Sequence, residues 1–216
     1  MGMKHPWLRA RCFGGRALAG AFRGSARGAS LVELIAILFI ILLLATMLNS
    51  RFSGAHRRTT RELCRKNLQL IYLACNIYAN DNRGLFPFLK GAKDSEAPLS
   101  LLVPRSTTET AVFTCPASPD PPLAEGEPFA HRRISYAYYM GRSTNDPTDV
   151  ILSDWQVDSS SKKKGQALFS SDGRKPGNNH AKDGGNLLLG NGETVGCGPK
   201  AAADLPIPPG VVLLNP

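Results

Sequence analysis

Glu33 is a lone carboxylate near the start of an apolar run that extends from Gly28 to Leu48. About 20 such residues, rising 1.5 Å each as a helix, match a hydrocarbon core roughly 30 Å thick. A carboxylate at that depth costs on the order of 2–3 kcal/mol and needs a partner. A cut after Gly28 would make Ala29 the new N-terminus. Its ammonium would lie one helical turn from Glu33 on the same face. Copies stacked with an axial offset would then pair amine with acid and remove the burial penalty.

Three other sets could do chemistry. The densest polar cluster runs Asn178-Asn179-His180-Ala181-Lys182-Asp183-Gly184-Gly185-Asn186, followed by Asn191-Gly192-Glu193. The oxygens of Asp183, Asn186, Asn191 and Glu193 could hold Ca²⁺, a hard cation that takes oxygen ligands, although only two of the four are carboxylates. The plainer reading, which takes most of the weight, is that His180 and the Asn side chains satisfy loop backbone around Gly184-Gly185. Asp154, Asp172 and His180 combine an imidazole base with carboxylates. No G-x-S-x-G accompanies them, so a hydrolase is weakly supported and the chain reads as no enzyme. Of five cysteines, Cys12 lies ahead of the apolar run, and Cys64, Cys75, Cys115 and Cys197 follow it. The absence of a C-x-x-C spacing weakens zinc. An exported domain can instead form one or two disulfides. Cys64 and Cys75, eleven apart on one predicted helix and so ~16 Å apart in rise, cannot bond each other. The feasible pairings join that helix to Cys115 and Cys197.

The elements that must position these residues follow from composition and period. The net charge is +9, but Lys4, Arg9, Arg11, Arg16, Arg23 and Arg27 supply six of those charges before Ala29, leaving +3 beyond it. Most of the basicity is therefore a leader, not a nucleic-acid surface, and no nucleic-acid partner is expected. Six basic residues from Arg51 to Lys66 balance the leader in count, so charge alone leaves the orientation open. The helix is expected to continue past the apolar run through residues 49–82. Its apolar stripe is Leu63, Leu70, Leu73, Ala74 and Ile77, with a soft point at Ser53-Gly54. Asn80 to Gly84 and Pro87 end it. Residues 90–130 are Pro-rich loops, with a helical turn near Leu99–Val103 and an apolar run at Ala111–Cys115. Strands are expected at Ile134–Met140, Val150–Trp155, Ala167–Ser170, Asn186–Leu189 and Thr194–Cys197. Gly190-Asn191-Gly192 makes a hairpin turn between the last two.

Gly28-Ala29-Ser30-Leu31-Val32-Glu33-Leu34 resembles the class III signal of type IV pilins and type II secretion pseudopilins. The resemblance implies cleavage after Gly28 by a prepilin peptidase, methylation of the Ala29 amine, and Glu33 as the assembly residue. It also sets the leader inside and residues 49–216 outside. A second resemblance rests on Cys64-Arg65-Lys66-Asn67-Leu68, Tyr78-Ala79-Asn80-Asp81, Phe86-Pro87, Phe113-Thr114-Cys115-Pro116 and the His180 region. It is to a pilin-like subgroup of planctomycete and verrucomicrobial bacteria. In that subgroup the His is followed about ten residues on by Asp-Gly, where this chain has Asn191-Gly192.

The expected fold class is α+β, with a long N-terminal helix, membrane-spanning in its first half, packed on a small C-terminal antiparallel β-sheet. The expected organisation is a removed basic leader (1–28), an assembly helix (29–48), its extramembrane continuation (49–82), a β domain with long loops (83–200) and a Pro-rich tail (201–216), docked through Val211–Leu214. The expected role is a filament subunit in the inner membrane with its C-terminal domain extracytoplasmic. Its partners would be the peptidase, other pilin-like subunits, the secretion platform and lipid. No cofactor is expected beyond the Ca²⁺ candidate. The rival is a single-pass anchored binding domain that does not polymerise.

Overall fold

The computed structural model describes residues 30–129 and 134–216, without the side chains of 48–55. The expectations placed on the leader, Gly28 and Ala29 fall outside the described residues. The chain divides into two compact units, Met1–Thr46 and Met47–Pro216. Helix α1 (Leu31–Asp81) supplies part of both and runs without interruption through Ser53-Gly54.

In the first unit, Ser30 starts the helix. Its hydroxyl accepts the Val32 N–H at 3.3 Å, and its carbonyl accepts the Leu34 N–H at 3.1 Å. From Leu31 to Met47 the side chains are apolar apart from Glu33 and Thr46, and all are exposed. Among the described residues no helix is long and apolar enough to cross a membrane. The described side chains of the apolar run stop at Met47.

The second unit is α+β. The rest of α1 lies against one face of a five-stranded antiparallel sheet. Its strands are β1 (Tyr136–Met140), β2 (Val150–Asp154), β3 (Gly185–Leu189), β4 (Thr194–Cys197) and β5 (Val212–Leu214), in the order β4-β3-β2-β1-β5. Alternation along β1 sends Tyr136, Tyr138 and Met140 into the helix-side core with Cys64, Leu68, Ile71 and Cys75. Ala137 and Tyr139 go to a second core with Leu168, Phe169 and Leu213. Both faces of β1 and β2 are therefore buried. An antiparallel sheet that packs on one layer commonly leaves its other face solvated. Here the loops of 155–210 cover it.

Several expectations need correction. The buried face of α1 is Cys64, Leu68, Ile71, Ala74, Cys75 and Ala79, whereas Leu63, Leu70, Leu73 and Ile77 are 41–56% exposed. Cys64 is bonded to Cys115, with the Cα atoms 5.4 Å apart, which fixes the rotational phase of the helix. Leu63, one residue or about 100° away, turns outward. The expected stripe is right at Ala74 and wrong at its four large residues, because leucines and isoleucines stand on two faces of α1 and their period does not say which face packs. Ala167–Ser170 is no strand, for Ala167 makes only an isolated bridge to Lys200. The tail instead supplies β5, paired with β1 through Tyr139↔Leu213 and its neighbours. The helical turn expected at Leu99–Val103 is present and starts three residues earlier, as α2 (Glu96–Leu99) running into a 3₁₀ turn at Ser100–Leu102.

Other local expectations match. The Gly84 N–H reaches back to the Ala79 carbonyl at 2.9 Å with φ +79°, closing α1. Gly192, at φ +84°, closes the β3–β4 hairpin. Tyr72 of α1 donates to the Gly190 carbonyl in that turn and ties helix to hairpin.

Candidate functional site

Asp154 ends β2 and is fully buried. A buried carboxylate must be met by donors, and four groups converge on it. The Asn186 N–H donates to Oδ2 at 2.7 Å and its side-chain amide at 3.0 Å. The Asn179 amide donates to Oδ1 at 3.2 Å. His180 Nε2 lies 3.2 Å from Oδ2. Asn186 is the second residue of β3, and Asn179 and His180 sit on the long loop between β2 and β3, so the sheet register brings these groups to one end of the strands. The loop must turn tightly to return. Gly184, at φ +89°, does this beside Cys197, where a Cβ would collide with the Cys197 carbonyl.

The disulfide meets the same nitrogen of the imidazole. Cys115 Sγ is 3.8 Å from the same His180 Nε2 and accepts the Ala117 N–H at 3.4 Å. One ligand atom from each of Cys64, Cys115, Asp154 and His180 falls within 4.8 Å of every other, all on buried residues. Arg61 closes the end from α1. Its guanidinium donates to the carbonyls of Gly185 and Cys197, each at 2.8 Å, and to the Asp183 carbonyl at 3.3 Å. Arg65, one turn on, donates to the Thr194 carbonyl at 2.9 Å. Together the two arginines occupy carbonyls along the edge strand β4, which blunts it as a template for another chain. A cleft of about 220 Å³ opens beside this end, lined by His56, Arg57, Thr60, Arg61, His180 and Asp183 among others.

The candidates from the sequence scatter. Glu33 is exposed in the first turn of α1. Of the four cysteines, Cys64 and Cys115 are bonded, and Cys75 and Cys197 are free and buried, so the helix makes no bridge to Cys197. Burial pushes both free thiols up, with Arg61 partly opposing the shift at Cys197. The four oxygen donors proposed for Ca²⁺ do not converge. Asp183 pairs with Arg57 at 3.5 Å, Asn186 serves Asp154, and Asn191 Oδ1 accepts the Glu193 N–H within the hairpin turn at 2.9 Å. Asn186 lies three strand residues, or roughly 10 Å, before the end of β3 at Leu189, and Asn191 lies in the turn beyond it. Asp172 is bound to Ser170 and Arg174 away from His180. Hydrogen bonds from the Arg174 N–H and the Ser170 hydroxyl hold its carboxyl below the usual range.

Asp154 and His180 do meet, but the nitrogen that faces the carboxylate also faces the sulfur. A Ser-His-Asp-type relay needs the two on opposite ring nitrogens. The structural role foreseen for His180 and the Asn side chains, serving loop backbone around Gly184-Gly185, falls instead to Arg61, which takes the Asp183 and Gly185 carbonyls, while Asn179, Asn186 and His180 meet Asp154. What sequence reasoning missed is that Cys64, Cys115, Asp154 and His180 share one centre, and that Arg61 holds the strand ends around it. The adjacency Asn179-His180 was visible; its meeting with two cysteines 65 and 116 positions upstream was not. The chain matches no protein-family model, no curated protein and no solved structure.

Proposed function

We propose that this chain is a pilin-like filament subunit, processed after Gly28 by a prepilin peptidase and assembled through Glu33 and the Ala29 amine. The observation that carries the reading is Glu33 itself, the one charged side chain between Leu31 and Met47 on an exposed apolar helix. A helix apolar on all sides requires an apolar surrounding, and an acid within that surrounding requires a cation. An adjoining copy offers one at matching depth. The helix would lie in the inner membrane before assembly and in the filament core after it. The second unit would stand on the extracytoplasmic side, where a disulfide persists. Head-to-tail contacts of this kind propagate as open filaments.

A second reading has its own observation. Ser30-Leu31-Val32-Glu33 has the spacing of a capping box, and Ser30 does cap the helix. Glu33 would then serve only the helix start of a lone anchor that does not polymerise. Glu33→Gln separates the two, because Gln keeps the capping capacity and loses the charge. Breaking a buried ion pair costs on the order of 3–5 kcal/mol, so filament yield with the peptidase and platform present should fall more than about 100-fold. Unchanged yield, or a mature chain whose mass still includes residues 1–28, would sink the filament reading.

A further inference from the structure

We infer that the dithiol form of this protein binds one zinc-class divalent cation between Cys64, Cys115, Asp154 and His180. The inference rests on the second unit alone and does not depend on the filament reading. Its basis is a convergence that neither a disulfide nor a His–carboxylate pair requires. One imidazole nitrogen, Nε2 of His180, faces both the Asp154 carboxylate at 3.2 Å and the Cys115 sulfur at 3.8 Å. Tetrahedral zinc, with bonds of about 2.0–2.3 Å, sets its ligand atoms roughly 3.3–3.8 Å apart. Two of the edges of such a tetrahedron are therefore already present. The two sulfurs supply the remaining corners once their bond is opened.

The surroundings are those of a metal site as well. Metal-ligating carboxylates are themselves hydrogen-bonded, and Asn179 and Asn186 hold Asp154 through both oxygens. The Ala117 N–H donates to Cys115 Sγ, a contact that suits a thiolate. All four residues are buried, and the neighbouring cleft reaches His180 and provides an entry path. The donor set selects the ion. Two thiolates, an imidazole and one carboxylate suit zinc, whereas Ca²⁺ wants six to eight oxygens and finds one carboxylate here.

The metal and the disulfide exclude each other. A dithiol reductant attacks the Cys64–Cys115 bond, gives two electrons and two protons to the pair, and leaves as its own disulfide. The cation then displaces the two thiol protons to solvent and takes both sulfurs as thiolates. Oxidation of the pair by a disulfide donor reverses this and expels the ion.

The test uses the full chain in detergent micelles, with Cys12→Ser, Cys75→Ala and Cys197→Ala so that one cysteine pair remains. After reduction and desalting, cobalt(II) chloride is titrated in. The expected result is one equivalent bound, with a thiolate-to-cobalt charge-transfer band and the visible bands of a tetrahedral ion. The oxidised chain should give neither. His180→Ala should weaken binding by more than about 100-fold, beyond the 10–100-fold that losing an outer partner such as Asn179 costs. Zinc absorption spectroscopy of the reduced wild-type chain needs no substitution. It should read two sulfur and two nitrogen or oxygen neighbours, and it decides the matter if a variant misfolds. A reduced chain that takes up no cobalt would overturn the inference. So would affinity unchanged in folded His180→Ala, or a zinc environment without sulfur.

Discussion

At the scale of single residues, the chemistry of the second unit is set by how buried charges are met. Asp154 survives burial because two asparagines and a histidine spend their donors on it. The Cys64–Cys115 bond closes a separation of 51 residues. On chain-entropy grounds Cys115→Ser should lower stability by about 2–4 kcal/mol, read as a lower urea midpoint with a steeper slope, because the uncrosslinked chain unfolds to a more open ensemble. Asp158 shows the opposite balance from a buried acid. Burial pushes its carboxyl up, but hydrogen bonds from Lys162 and Ser160 outweigh that, and it sits below the usual carboxylate range. A depressed folded-state pKa stabilises above the unfolded value of about 3.9 and is lost as pH falls through the folded value. Asp158→Asn should therefore cost stability at neutral pH and little at the acid end of a pH series of thermal melts. The effect is small, because Asp158 is half exposed and water screens the pair.

At the scale of elements, the helix is the instructive case. Two leucines five residues apart on α1 have opposite fates, with Leu68 fully buried and Leu73 56% exposed. Leu68→Ala should cost about 2–5 kcal/mol, and Leu73→Ala should stay within about 0.5 kcal/mol. Chemical denaturation of the two variants checks this, and equal losses would mean the helix is rotated from its described phase. The sheet makes a similar point. The hairpin was legible because Gly190-Asn191-Gly192 is a local turn signal, and local signals survive any tertiary context. The fifth strand was not legible. Val212–Leu214 is three residues among prolines, and only pairing with β1 makes it a strand.

At the scale of the whole second unit, the chain closes on itself through its last residues. Leu213 and Leu214 are 3–4% exposed. The Asn215 side chain exchanges hydrogen bonds with the Gln156 backbone, and its carbonyl accepts the Ser95 N–H. Removing residues 211–216 should expose the edge of β1 and open both cores. The truncated chain should lose its cooperative thermal transition, and a sharp melt near the parent temperature would show that the tail is dispensable. The docking expected of the tail through Val211–Leu214 is met, and it takes the form of a strand on β1.

Period and chemistry along the chain determined the α+β class, the C-terminal end of the helix, four of the five strands within a residue or two, and the oddity of Glu33. These depend on neighbours within a few positions. Only the tertiary structure decided which side of α1 is buried, which cysteines meet, and that His180 faces Asp154 and a sulfur at once. Those contacts join residues tens of positions apart. Their partners are selected by the rotation of one helix and the register of one sheet, and neither quantity is written in any short stretch of sequence.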